Sequence, residues 1–220
     1  MNERKEVPDS TREAIQALQR NGIHVAIATG RAPFMFRELR EQLGIHNYVS
    51  FNGQYVMFEG ELIYHQPVPA RILERLENDA NEKGHPMVFM DHEKMTVNRK
   101  NHPWVEESIG GLKVELPKFG PHSGKEIYQA LLFCPEHEDN EYVEPYKELK
   151  FIRWHPYSLD VLVAGGSKAQ GIAEMIRRLG LHMRQVYAFG DALNDIEMLQ
   201  AAGTGVAMGN AADVVKRAAD

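Results

Sequence analysis

Gly190-Asp191-Ala192-Leu193-Asn194-Asp195 is the stretch on which the reading of this chain turns. Ahead of it lies Val186-Tyr187-Ala188-Phe189, an apolar run of the buried-strand type, and behind it Ile196-Glu197-Met198-Leu199 opens a helix. Two carboxylates and an amide carbonyl are therefore gathered where a strand gives way to a helix. In open α/β sheets ligands bind at that place, outside the carboxyl ends of the strands. Hard oxygen ligands suit Mg²⁺, which is usually held by one or two carboxylates with waters and substrate phosphate. A plainer reading stands beside this one, in which Asp191 ends the strand and Asn194 or Asp195 caps the helix. The motif alone leaves both open.

Outward from that stretch the pattern is α/β. Lys168 to Leu179 before it forms an amphipathic helix ending at Gly180, and Gly205-Val206-Ala207-Met208 after it forms another strand, with a last helix from Ala212. The first part of the chain has the same texture. Ser10-Thr11-Arg12-Glu13 fits a capping box ahead of an apolar stripe at Ala14, Ile15, Ala17 and Leu18. Ile23 to Ala28 reads as a buried parallel strand, and Pro33 suits the first turn of a helix reaching Leu43. Asn52-Gly53 between Tyr48–Phe51 and Tyr55–Phe58 signals a hairpin, with a further strand at Leu62 to Tyr64. Between Pro67 and about Val163 the texture changes to a helix (Ile72 to Lys83) and strands at 87–90, 126–133, 151–154 and 159–163. These are separated by loops such as Pro117 to Gly124. The expected organisation is a Rossmann-like parallel-sheet core from residues 1–66 and 164–220, with an inserted α+β domain at 67–163.

Composition narrows the function. A formal charge of −6 argues against nucleic acid as the main partner, since that needs a basic face. Cys134 is the only cysteine, so no internal disulfide forms and a reducing cytoplasm is the expected home. No run approaches the ~18 apolar residues of a membrane helix, and Met1 to Pro8 is polar and charged rather than of signal-peptide type. Among ten histidines none shows a metal-binding spacing. Six of them, His85, His92, His102, His122, His137 and His155, fall in the insert and are expected at its surface.

Three further features join the Asp191/Asp195 pair at strand ends or helix starts. Thr29-Gly30-Arg31 places a hydroxyl and helix N–H groups where an anion could bind, or makes an ordinary turn. Lys168 lies just inside a helix start, where a cation opposes the macrodipole unless an anion binds there. The preceding Gly165-Gly166-Ser167 is not a P-loop. Asn52-Gly53 is a turn or a site. Asp191 and Asp195 do not have the spacing of a calcium loop.

In order, Ala28-Thr29-Gly30-Arg31, Asn52-Gly53, Gly166-Ser167-Lys168, Gly190-Asp191-Ala192-Leu193-Asn194-Asp195 and Gly205-Val206-Ala207-Met208-Gly209-Asn210-Ala211 resemble the haloacid dehalogenase superfamily. The likeness is to its Cof-type phosphatases with a large inserted cap. It implies a Mg²⁺-dependent phosphohydrolase for a small phosphorylated metabolite. Thr29 and Lys168 would be catalytic. Thr29, Gly30, Arg31, Asn52, Lys168 and Asn194 would surround the phosphate, Asp191 and Asp195 would hold Mg²⁺, and the cap would choose the substrate. No membrane or nucleic-acid partner is expected, and the chain is expected to be a monomer or weak dimer.

The chain departs from the family pattern in one respect. The first motif, a strand ending Asp-x-Asp-Gly-Thr, has no counterpart, and no Asp-x-Asp occurs among the 220 residues. The resemblance places that strand between the Thr29 and Asp191 strands and makes its first aspartate the nucleophile. The chain is accordingly expected to be an N-terminally incomplete phosphohydrolase without activity of its own. The alternatives are an inactive phosphate- or metal-binding relative, or a non-functional fragment.

Overall fold

The structure is a computed structural model that describes residues 7–111, 114–122 and 124–220. The elements run α1 (Asp9–Arg20), β1 (Ala26–Ala28), α2 (Arg37–Leu43), β2 (Asn47–Ser50), β3 (Tyr55–Phe58) and β4 (Glu61–His65). Then come α3 (Ala70–Glu82), β5 (Met87–Met90), β6 (Met95–Val97), α4 (Pro103–Gly110), β7 (Lys118–Phe119) and β8 (Gln129–Phe133). These are followed by α5 (Asn140–Val143), β9 (Leu149–His155) and β10 (Ser158–Val163). The chain closes with α6 (Lys168–Arg178), β11 (Tyr187–Gly190), α7 (Ile196–Ala201), β12 (Thr204–Ala207) and α8 (Asp213–Lys216). They divide into two compact units. One comprises Met1–Arg31, Phe36–His65 and Ser167–Asp220, the other Ala32–Met35 and Gln66–Gly166.

The first unit holds two separate sheets. One has the order β1-β2-β3-β4, with β1 and β2 parallel, and the other pairs β11 with β12 in parallel. The parallel register Ala26↔Asn47 to Ala28↔Val49 brings the end of β1 beside the end of β2. Helix α6 underlies both sheets, because its apolar stripe recurs at helical spacing. Met175 packs with Val49 and Val56 in one cluster, while Ala169 packs against Ala188, Met198 and Leu199 in another. Ala28 and Ile172 touch both clusters and tie the sheets together. β1 and β11 are each end strands that pair on one side only among the described residues.

The second unit is a six-stranded sheet, β7-β6-β5-β8-β10-β9, antiparallel except for β6 with β7. One face buries Met87, Phe89, Ala130, Leu132, Leu159 and Val161 against Leu73, Leu76 and Ala80 of α3. The two-residue periodicity of the strands meets the 3.6-residue stripe of the helix there.

Several local expectations need correction. The Ser10 capping box does not form, and α1 starts after Pro8 without a side-chain cap. The strand expected from Ile23 shrinks to three residues, because Ile23 to Val25 lie outside any ladder. The helix from Pro33 begins as a 3-10 turn and becomes α-helical only at Arg37. Asn52-Gly53 does lie in a β2–β3 hairpin, within a connection made of the 3-10 turn Phe51–Gly53 and Gln54. β6, α4 and β7 give too weak a pattern to be read. His85 is not at the surface but buried, with Nδ1 2.6 Å from the Tyr142 hydroxyl. The expectation about the family's first motif falls on residues 1–6, which lie outside the described residues.

Candidate active site

Four chain segments of the first unit meet at the carboxyl ends of its parallel strands. The ladder continues past β1, with Thr29 N–H donating to Val49 O at 2.8 Å. Thr29 Oγ1 then accepts from Arg31 N–H at 3.1 Å and fixes the turn. The loop after β2 is stitched to this turn, since Asn52 N–H donates to Thr29 O at 3.1 Å and Phe51 N–H to Arg31 O at 3.3 Å.

Helix α6 arrives from the other side. Ser167 is its N-cap and accepts from Gln170 N–H at 3.3 Å, satisfying one of the helix's free donors. Gly53 lies so close that a Cβ there would sit 2.0 Å from Ser167 O, and its φ of 104° disfavours any other residue. The next residue, Lys168, is only 6% exposed. An ammonium at a helix N-terminus is disfavoured by the dipole, and here it is offset by Asp195, whose Oδ1 lies 2.6 Å from Nζ.

Asp195 does more than pair with Lys168. Its Oδ2 accepts the backbone N–H groups of Asp191 and Ala192, each at 3.0 Å, and so folds the Asp191–Asp195 turn onto itself. Gly190 permits this, as a Cβ there would lie 2.5 Å from the Asp195 Cβ. Burial pushes the Asp195 carboxyl up, but Lys168 and the two amides outweigh burial and hold it below the ordinary carboxylate value.

Asn194 closes the arrangement by donating from Nδ2 to Asn52 Oδ1 at 3.1 Å. The links now run Thr29 turn, Asn52 loop, Ser167–Lys168, Asp195, Asn194 and back to Asn52. Asp191 remains exposed, and among the described residues its carboxylate accepts one long contact, from Asn210 Nδ2 at 3.4 Å. Arg31 is exposed and joins the others only through its backbone.

Thr29, Gly30, Asn52, Lys168, Asn194, Asp191 and Asp195 are thus within one connected cluster, from stretches far apart in sequence. Two contributors are not assigned from sequence. Ser167 could have been read as a helix cap from its position before Lys168. Asn210, in the turn after β12, carries no local signal beyond following Gly209. No group of three or more His, Cys, Asp and Glu side chains is placed to hold a metal among the described residues.

The family model for haloacid dehalogenase-like hydrolases matches residues 1–220. The chain belongs to the haloacid dehalogenase-like hydrolases. It is 47% identical over 218 residues to the Bacillus subtilis (strain 168) protein named "Putative phosphatase YkrA", covering 98% of this chain and 84% of that one. The crystal structure of a hypothetical protein from Geobacillus kaustophilus HTA426 superimposes with a TM-score of 0.97 at 54% identity, over 100% of this chain and 87% of that one. The HAD subclass IIB sugar phosphatase BT4131 matches with a TM-score of 0.81 at 32% identity, over 98% and 85%. Membership gives the split sheet its frame, a mixed α/β core with an inserted second unit.

Proposed function

We propose that the linked cluster is a phosphoryl site and that the protein serves Mg²⁺-dependent hydrolysis of a small phosphorylated metabolite. The observation that carries this is the convergence of the Thr29 hydroxyl, the Asn52 amide, the Lys168 ammonium and the Asp191 carboxylate. Thr29 Oγ1 offers a hydroxyl donor and Lys168 a positive charge, the two things a phosphoryl group needs as its charge spreads in the transition state. Asp195 holds Lys168 in place and shapes the turn that presents Asp191.

The donor set fits a hard divalent cation held by one free carboxylate and by substrate oxygens. Asp191 is that carboxylate. Asp195 acts behind it, because both of its oxygens are committed to Lys168 and to backbone amides. Bound there, Mg²⁺ would supply Lewis acidity toward a phosphoryl oxygen.

Relatives named for a sugar phosphate or for 5-amino-6-(5-phospho-D-ribitylamino)uracil phosphatase activity support the substrate class only at that level. The inserted unit, residues 66–166, is read as the part that selects among such metabolites. The protein is read as cytoplasmic and monomeric or weakly dimeric. No helix among the described residues is long and apolar enough to cross a membrane.

The 220 residues contain no Asp-x-Asp, so this chain is expected to bind phosphate rather than to turn over phosphomonoesters. Calorimetry with inorganic phosphate and MgCl₂ should show binding that requires the metal and falls at least tenfold in Asp191→Ala. Absence of binding at millimolar phosphate removes the reading. Mg²⁺-dependent release of phosphate from p-nitrophenyl phosphate would remove the expectation of inactivity.

A further inference from the structure

Three of the insert's six histidines gather around helix α4, and the surroundings of all three suit the neutral ring. His155 Nδ1 accepts the Tyr157 N–H at 3.3 Å and lies 2.9 Å from Ser108 Oγ on α4. A backbone N–H can only donate, so this nitrogen carries a lone pair and the Ser108 hydroxyl donates to it. His85 is buried, with Nδ1 2.6 Å from the Tyr142 hydroxyl and Nε2 3.4 Å from the Glu138 carboxylate. A carboxylate can only accept, so the hydrogen belongs on Nε2 and Nδ1 accepts from Tyr142. His102, the residue before α4, has its Nδ1 buried with no partner among the described residues. Trp104 of α4 gathers the group. Its ring stacks on Tyr157 at 5.3 Å and 8°, and tilts against His102 at 5.0 Å and His85 at 5.9 Å. Val105 and Ile109 bury the apolar side of the same helix.

Protonation works against each of these contacts. A hydrogen on His155 Nδ1 would point at the Tyr157 N–H, and one on His85 Nδ1 would take from the buried Tyr142 hydroxyl its acceptor. On His102 Nδ1 it would be a buried donor without a partner, which is costly. Burial holds both His85 and His102 below the ordinary histidine value of 6.5. At His85, Glu138 and Glu141 oppose burial while Lys83 and His102 add to it, and at His102 Arg99 adds to it and Glu106 opposes it. Glu138 is shared with His137, 3.7 Å away. Glu107 lies 4.0 Å from His155 Nε2 but is 60% exposed, where water screens it, and Arg153 donates to the His155 carbonyl. We propose that α4 is a proton-sensitive flap of the inserted unit, docked while His85, His102 and His155 are neutral and released as they take up protons. With α4 lifted, Trp104 leaves the rings of His85 and His102, which meet water and return to the ordinary value. For these two the docked value is the lower one, so docking is fully favoured above 6.5 and is lost progressively as pH falls below it.

Hydrogen exchange on the full chain tests this, read at pH 7.5 and 5.5 and corrected for the intrinsic rates. Opening of residues 104–110 should rise about tenfold for each imidazole that protonates only in the released state, while α3 keeps its protection. Acrylamide should quench Trp104 more strongly at the lower pH, measured in Trp154→Phe so that Trp104 is the one tryptophan left. Asparagine serves as the neutral stand-in, because its Oδ1 takes the place of Nδ1 and accepts the same hydrogen bonds without titrating. His155→Asn should lessen the pH response, and His155→Asn combined with His85→Asn and His102→Asn should abolish it. Equal protection of α4 at the two pH values in the wild type would overturn the proposal, whether or not the variants fold. A loss of protection shared equally by α3 would mean unfolding of the whole unit and would overturn it as well. So would a full pH response surviving in the triple variant, which would assign the sensitivity to other groups.

Discussion

Lys168 carries its charge at the end of a helix where the backbone repels it, in a place that water barely reaches. It is stable there because Asp195 is buried beside it, 5% exposed and 2.6 Å away. Breaking a buried pair costs more than the pair contributes, because one charge is left behind. Lys168→Met should therefore lower stability by about 3–5 kcal/mol in urea unfolding. The pH dependence follows from Asp195. Its folded carboxyl lies below the ordinary value, so its contribution is present above the ordinary carboxylate range and is lost as pH falls through the lowered value. Without Lys168 the acid-unfolding midpoint should move to higher pH, and an unmoved midpoint would contradict this account. Such pairing is not legible in the chain. Lys168 and Asp195 are 27 residues apart, and the rest of helix α6, a strand and two loops intervene. What the sequence does show at this scale is chemistry at element ends, where Thr29, Lys168 and Asp191 each stood out by position. Asn-Gly does signal left-handed backbone at Asn52, but nothing in the sequence signals that Phe51 before it shares that conformation.

Long amphipathic or uniformly apolar elements announce themselves, and short ones do not. α3, α6, β5 and β10 follow their periodicity, whereas β6 has three residues and β7 two, too few to repeat a pattern. α1 is periodic yet buries no residue. Its ties are to α2 and the turn that follows it, with Gln19 Nε2 donating to Gly44 O at 2.9 Å and Arg12 Nη1 to Gln42 O at 3.4 Å. Hydrogen exchange should therefore find α1 the least protected of the long helices, exchanging well before α3 and α6. Equal protection across the three would refute this. Strand β10 carries a titrating group of its own. Asp160 alternates with Leu159 and Val161, and so lies on the face away from the α3-covered core. Burial pushes its carboxyl up to about 7, against a hydrogen bond from Gln129. Gln129 Oε1 is itself buried without a partner, and a protonated carboxyl is the kind of donor it lacks. The folded value is above the ordinary one, so this contribution is full below the ordinary carboxylate value and is lost progressively as pH rises to about 7. Relative to Asp160→Asn, the wild type should lose stability in urea titrations as pH rises from the ordinary value of 3.8 to about 7, and level off above it. A constant difference would show that Asp160 stays charged throughout.

Across the whole chain, the texture of the sequence changes twice, near Pro67 and again after Gly166, and nothing in it signals that Ala32–Met35 group with the second compact unit. The division of the first unit's strands into two sheets was legible only through the resemblance to a family, since nothing in β1 or β11 says which neighbour each has. End strands with open ladders invite pairing with other chains. Next to one of them the surface is apolar, with Tyr187 69% and Phe189 62% exposed on β11. Sedimentation velocity should show concentration-dependent association that Tyr187→Lys with Phe189→Lys suppresses. Equal association in the two proteins would place the contact elsewhere.

The Asn194–Asn52 bond spans 142 residues, and Gln66–Gly166 of the second unit lie within that span. During synthesis the inserted unit is complete long before Asn194 leaves the ribosome. Chain halves held apart for so long pay their loop-closure entropy late, which slows folding and leaves the early half without its partner. The turn at Asn52 thus keeps its bonds to Thr29 and Arg31 but lacks its Asn194 clamp until roughly the last eighth of these 220 residues emerges, and a ribosome stalled before that point would carry a tethered α/β half-sheet with no competent centre.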